Sequence, residues 1–210
     1  MQIQNGAMKL LLVLSAALLI MPKTSLFADF RGISWGASVE TVKASEEAYL
    51  VSATEEKLVY KTTLLDCTVS VTYEFIADEC VRASYDFRTY ENQPDAIVKT
   101  ILAIAEMLNQ KYGDSENTKK GISLIPPSFA DDPATWGAAL QMGYMSLSDK
   151  WETPTEQISL MAIGLSERIH SIIAYTPHTV SENVTAAIAE EKAAEAAEEA
   201  RKMAEAFEQL

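Results

Sequence analysis

Two stretches of strict alternation govern what this chain can fold into. In Thr68–Phe75, Val69, Val71, Tyr73 and Phe75 share one side, while Thr68, Ser70, Thr72 and Glu74 share the other. Val81–Phe87 repeats the pattern with Val81, Ala83, Tyr85 and Phe87. A period of two sends successive side chains to opposite faces of a strand, so each segment has one dry face and one wet face. That marks an antiparallel sheet covered on one side, because buried parallel strands are apolar on both. The segments form a hairpin around Ala77-Asp78-Glu79, with a strand over Leu58–Leu64 expected before them. Same-face pairing sets Val69, Val71, Tyr73 and Phe75 against Phe87, Tyr85, Ala83 and Val81. On that register Cys67 faces the core and Cys80 does not, so both thiols are expected free, with Cys67 buried.

Elsewhere the period is helical. Ser38 is placed to N-cap a short helix from Val39 to Glu47, with Glu40 in its first turn. Pro94 and Asp95 open a longer helix in which Ile97, Ile101, Ile104, Leu108 and Tyr112 form one apolar stripe, and Gly113 ends it. This stripe is the candidate cover for the sheet. After Pro126-Pro127, Asp132-Pro133 starts a shorter helix that Gly143 stops. Strands follow over Tyr144–Glu152, Gln157–Ile163 and Arg168–Thr176, with turns at Thr153-Pro154 and Gly164–Glu167. The expected fold is α+β: two helix-plus-three-strand units share one antiparallel sheet, helices packed on one face. Ser181–Leu210, dominated by Ala and Glu, is read as one long C-terminal helix. An a/d register runs through it to Met203, Phe207 and Leu210; a solvated, projecting helix is favoured over a coiled-coil site.

Ahead of the domain lies an unbroken apolar run, Leu10–Met21, led by Lys9. Twelve residues of helix span about 18 Å, short of the ~30 Å hydrocarbon core but typical of a secretory signal. Cleavage is expected after Ala28, and Met8 is the expected start, since Met1–Ala7 carries no charge. The organisation is thus a signal peptide over 1–28, a domain over 29–179 and a helical tail over 180–210. The first cysteine is Cys67, so no lipid-anchoring motif follows the apolar run. A periplasmic or secreted protein with no stable membrane span after cleavage is expected. Without Lys9 and Lys23, 15 basic residues face 30 acidic ones, a net charge of −15. Such a field repels nucleic acid, which is excluded as a partner.

Candidate chemistry is sparse. His170 is predicted mid-strand, opposite in facing to Ile169 and Ile173, and His178 follows Pro177; neither has metal-ligand spacing to a second donor. Asp131-Asp132 reads as helix capping, and Glu190-Glu191 and Glu198-Glu199 as a solvated helix face. No Gly-x-Ser-x-Gly elbow, phosphate loop or His-Glu-x-x-His motif occurs. No catalytic residue, metal or cofactor is assigned. Trp35 and Trp151 are the candidates to line a ligand or partner groove, together with Met203, Phe207 and Leu210 on the tail.

One resemblance adds to this. Phe30-Arg31-Gly32-x-x-Trp35-Gly36-x-Ser38-x-Glu40-x-Val42-Lys43 resembles the opening of a group of uncharacterised exported bacterial proteins. Further signposts are similar: Asp66-Cys67, Tyr73-Glu74-Phe75, Val81-Arg82-Ala83, Lys111-Tyr112-Gly113, and Trp151-Glu152-Thr153 leading to Thr155 and Ile158. The likeness spans Phe30 to Tyr175 and leaves out the tail. It implies export and a fold, since the group has no assigned activity. A fainter likeness, in element order alone, is to small outer-membrane assembly lipoproteins. The expectation is a non-enzymatic envelope module that binds another protein; the alternative is a small-molecule binder or hydrolase with a pocket between sheet and helices.

Overall fold

The alternating segments lie near the middle of a nine-stranded antiparallel sheet. The computed structural model describes residues 29–65, 67–88, 94–117, 120–121, 133–165 and 168–207. The expected signal peptide, Asp131-Asp132 and Leu210 lie outside them. In chain order come β1 (Asp29–Phe30), β2 (Ile33–Ser34), α1 (Val39–Ser45), β3 (Tyr49–Ala53), β4 (Lys57–Leu64), β5 (Cys67–Ile76) and β6 (Glu79–Arg88). Next are α2 (Pro94–Tyr112), β7 (Glu116–Asn117), β8 (Lys120–Gly121), a 3₁₀ turn (Pro133–Thr135) and α3 (Trp136–Gln141). The chain then forms β9 (Met145–Glu152), β10 (Glu156–Leu165), β11 (Arg168–Pro177) and α4 (Glu182–Phe207). The sheet runs β3-β4-β5-β6-β11-β10-β9-β7, with β8 also on β9. The two meanders therefore meet through their last strands, Tyr85 opposite Ile173 and Ala83 opposite Tyr175.

One face of this sheet carries the core. Val69, Val71, Tyr73 and Phe75 of β5 and Ile158, Leu160 and Ala162 of β10 are buried together with Ile97, Ile101, Ile104 and Leu108 of α2. Full burial of each large side chain is worth roughly 1.5–3 kcal/mol, which is what fixes the register. Ser38 caps α1 as its sequence predicts: its Oγ accepts from Thr41 N (3.2 Å). A second cap comes from the hairpin, where Asp78 Oδ1 accepts from Val39 N (3.0 Å).

The Phe30-Arg31-Gly32 opening is a small hairpin. Phe30 pairs with Ile33, and Arg31 and Gly32 hold φ of 56° and 78°, the mirror-image two-residue turn in which glycine is nearly free of strain. It lowers Phe30 among Tyr73, Tyr85 and Tyr175, with ring centroids 5.5, 5.0 and 5.0 Å away. It also swings Arg31 onto Glu46, whose carboxylate accepts from Arg31 Nε (2.8 Å) and Nη2 (2.9 Å), Tyr73 Oη (2.6 Å) and Ala48 N (2.9 Å). Only 2% of the Glu46 side chain is exposed. Burial alone would raise its pKa, but the bonds from Arg31, Tyr73 and Ala48 outweigh burial and hold it below the usual carboxylate value.

Several features differ from expectation. β1, β2, β3, β7 and β8 are additional strands; the five residues of β3 are all exposed, so no alternation announces it. Gly164 lies inside β10 instead of opening a turn. In the β5–β6 hairpin the pairing slips by one residue beyond Glu74–Arg82, so Phe75 faces Cys80 and not Val81. That bulge lets a two-residue turn, Ala77-Asp78, close the hairpin with φ of 52° and 62°. The physical consequence is a reversal: Cys80 is buried and Cys67 only half-buried.

Candidate functional site

Helices cover one face of the sheet, and the other presents the alternate residues. On β10 these are Met161 (41% exposed), Ile163 and Leu165 (52% exposed), which sit opposite Ile172, His170 and Arg168 of β11. An apolar row along β10, extended across the strands only by Ile172, thus lies on a face that the hydrophobic pattern left to solvent. Beside it Thr72, Ser84 and Ala174, all buried, and Ser159 stand in direct register across four strands and form a low floor between larger side chains. The six long strands, each of eight to ten residues, span about 29 Å by 30 Å at ordinary strand spacing and rise. That face, about 800–900 Å² in outline, is large enough to receive a partner of ordinary interface size, although Thr72, Ser84 and Ala174 within it are buried.

A second feature is a cavity of about 420 Å³ beside the β5–β6 hairpin. Trp35, Cys80, Val81, Pro154, Pro177 and Val184 line it, with Glu79 and Ser181 among its polar groups. Trp35 is fixed from behind by its Nε1–H, which donates to the buried Glu156 Oε2 (2.9 Å). The start of α4 closes one wall: Ser181 Oγ donates to Glu79 Oε1 (2.8 Å) and accepts from Val184 N (3.2 Å). Burial pushes the Cys80 thiol up to about 12. Iodoacetamide applied to the native protein should therefore label Cys67 first, with Cys80 at least about tenfold slower. Peptide mapping after timed alkylation checks this; equal rates would place Cys80 in solvent.

The remaining candidates separate. Trp151 is 2% exposed, and its Nε1–H donates to both Asn109 Oδ1 (3.0 Å) and Gly113 O (3.1 Å), tying the end of α2 to β9. Its indole is thus used in packing, while Trp35 borders open space. Met203 is exposed on α4, and Phe207 is the last described residue of that helix. Among the described side chains of α4 only Val184 is buried, with Ala187, Ile188 and Glu198 half-buried; the others beyond Ile188 are exposed, and the helix runs on for about 28 Å. Glu198 pairs with Arg201 (2.8 Å) and Lys202 (3.5 Å) along it.

His170 is exposed on the open face, and His178 Nε2 lies 2.9 Å from Thr153 O and 3.3 Å from Glu152 Oε2. Among the described residues no group of three or more His, Cys, Asp or Glu is placed to hold a metal ion, and no helix is long and apolar enough to cross a membrane. Sequence reasoning missed the apolar row on the open face. The signal was present in Met161, Ile163 and Leu165, which alternate with the core residues of the same strand. Compared with known proteins, the chain matches no family model, no curated protein and no solved structure.

Proposed function

We propose that this chain is an exported, non-enzymatic protein-interaction module of the cell envelope, acting in the periplasm or after secretion. Export is supported by the apolar run behind Lys9 and the expected cleavage after Ala28. The observation that carries the binding role is the open sheet face, whose row of Met161, Ile163 and Leu165, extended by Ile172, lies within a partner-sized outline. Met203, Phe207 and Leu210, toward the end of the projecting tail, are proposed as a secondary contact.

Photo-crosslinking residues placed at 161 and 165 are expected to give discrete adducts with an envelope protein. The same residue at Met107, exposed on α2, serves as the control. Removing residues 181–210 should weaken those adducts without abolishing them. Adduct formation at 161 and 165 no higher than at 107 would overturn the reading. The cavity at Trp35 supports a second reading, a small-molecule site, because its volume falls within the range of ligand pockets.

A further inference from the structure

The two edges of the sheet are treated differently. β9 is flanked by β7 and β8, whereas β3 ends the sheet with its outer side bare among the described residues. β3 reads Tyr-Leu-Val-Ser-Ala, without proline or charge, and Tyr49, Leu50 and Val51 are 75%, 41% and 55% exposed. Its pairing with β4 slips between Leu50 and Ser52, which leaves Val51 outside the register. Proteins ordinarily blunt such an edge with lysine, proline or a covering element, since unpaired N–H and C=O groups recruit another strand. In β3 the slip at Val51 and the strand's short length are the protections present, and no lysine, proline or covering element is found among the described residues.

The surroundings say what kind of strand would fit. At the Ala53 end opens a cleft of about 940 Å³, walled by Glu40, Glu55, Glu56 and Glu191 against a single base, Lys43. Lys43 is already paired to Glu40 (2.7 Å), while Glu55, Glu56 and Glu191 have no ion-pair partner among the described residues. At the other end Glu46 is engaged by Arg31, and Glu47 is exposed. A second copy of β3 added antiparallel would bring its Glu47 toward Glu55 and Glu56, like charge against like. The edge therefore disfavours its own copy and favours a basic partner.

We propose that β3 receives an extended segment of another protein, added antiparallel, with an apolar core preceded by lysines or arginines that enter the Glu55–Glu56–Glu191 cleft. The antiparallel sense continues the sheet and puts the partner's N-terminal side at the Ala53 end. Backbone bonds along β3 hold the core of the segment, and the cleft selects its charge. This inference rests on the reading of the chain as a protein-binding module and names a second contact, remote from the open face.

The test uses the full mature chain and an acetylated peptide, Lys-Arg-Lys-Val-Tyr-Val-Thr-Val, followed by fluorescence anisotropy. Saturable binding is expected, weakened about tenfold or more between 50 and 300 mM salt. Moving the basic triplet to the C-terminus, replacing it with serines, or introducing Glu55→Lys with Glu56→Lys should each weaken binding about tenfold. Val51→Lys should weaken it at least about tenfold while leaving the unfolding midpoint unchanged, because this side chain is more than half exposed and outside the register with β4. No binding, equal binding of the serine peptide, or a dimer lost on Val51→Lys would overturn the proposal. Crosslinking from positions 161 and 165 reads the open face separately, so adducts that persist without peptide binding would sink the edge assignment alone.

Discussion

Glu46→Ala is expected to destabilise the folded chain by about 3 kcal/mol at neutral pH, the scale of a broken buried ion pair. The substitution strips Arg31 and Tyr73 of their acceptor and frees the Ala48 N–H, all at a site where Tyr60 Oη is buried without a partner. Arg31 keeps 29% of its side chain in solvent, which limits the cost to the lower part of that range. The lost bonds also loosen the hairpin that seats Phe30 among the tyrosines. Urea unfolding of wild type and variant measures the effect. A difference below about 1 kcal/mol would mean that the carboxylate's desolvation cancels its hydrogen bonds.

The same pair predicts a pH dependence with a definite sign. Glu46 titrates below the usual carboxylate value in the folded chain. Its contribution is therefore complete above the ordinary carboxylate pKa of about 4.3 and is lost as pH falls through the depressed folded value. The gap between wild type and Glu46→Ala should narrow below about pH 4 and stay level from pH 6 to 8. A gap that widened on acidification would reverse the assigned direction.

Gly164→Ala is the second large effect, expected at about 3 kcal/mol or more. Gly164 lies in β10 on the core face, and a Cβ there would run into the carbonyl of Leu140, with Gly143 N the next atom in its way. Leu140 sits in the short helix α3, and backbone cannot rotate aside as a side chain can, so α3 must lift from the sheet. Trp136 and Leu140, both buried, would lose packing with it. Thermal unfolding monitored by tryptophan fluorescence should show a lower midpoint and an altered native spectrum. Retention of the wild-type midpoint would show that α3 can shift without cost. Gly137 plays a matching part on the other side of α3, where a Cβ would meet the backbone of Pro94 and Asp95.

These glycines show where sequence reasoning stops. Gly164 reads as a turn residue because glycine after an apolar strand usually breaks it; that a helix backbone rests on it is a contact with Leu140, 24 residues earlier in the chain. β3 escaped for the opposite reason, since a strand exposed on both faces carries no period of burial. The cysteines are the sharpest case. Parity along β6 was correct from Ala83 to Phe87 and failed beyond Arg82, because one slipped residue inverts the facing of all that follow it. Trp35 and Trp151 looked alike as sequence, yet one lines a cavity and the other has both faces in the core.

The alternation at Thr68–Phe75 and Val81–Phe87, the Ile97–Tyr112 stripe and the caps at Ser38 and Pro94 determined by themselves that this chain makes an α+β fold with helices on one side of an antiparallel sheet. Those signals are local, since period and capping involve residues within a turn or two of each other. Only the tertiary structure decided that β6 meets β11, that Arg31 reaches Glu46, that Cys80 turns inward, and that among the described residues one face and one edge of the sheet stay uncovered. Each of these rests on side chains far apart in the chain, and no residue pattern within a single element records them.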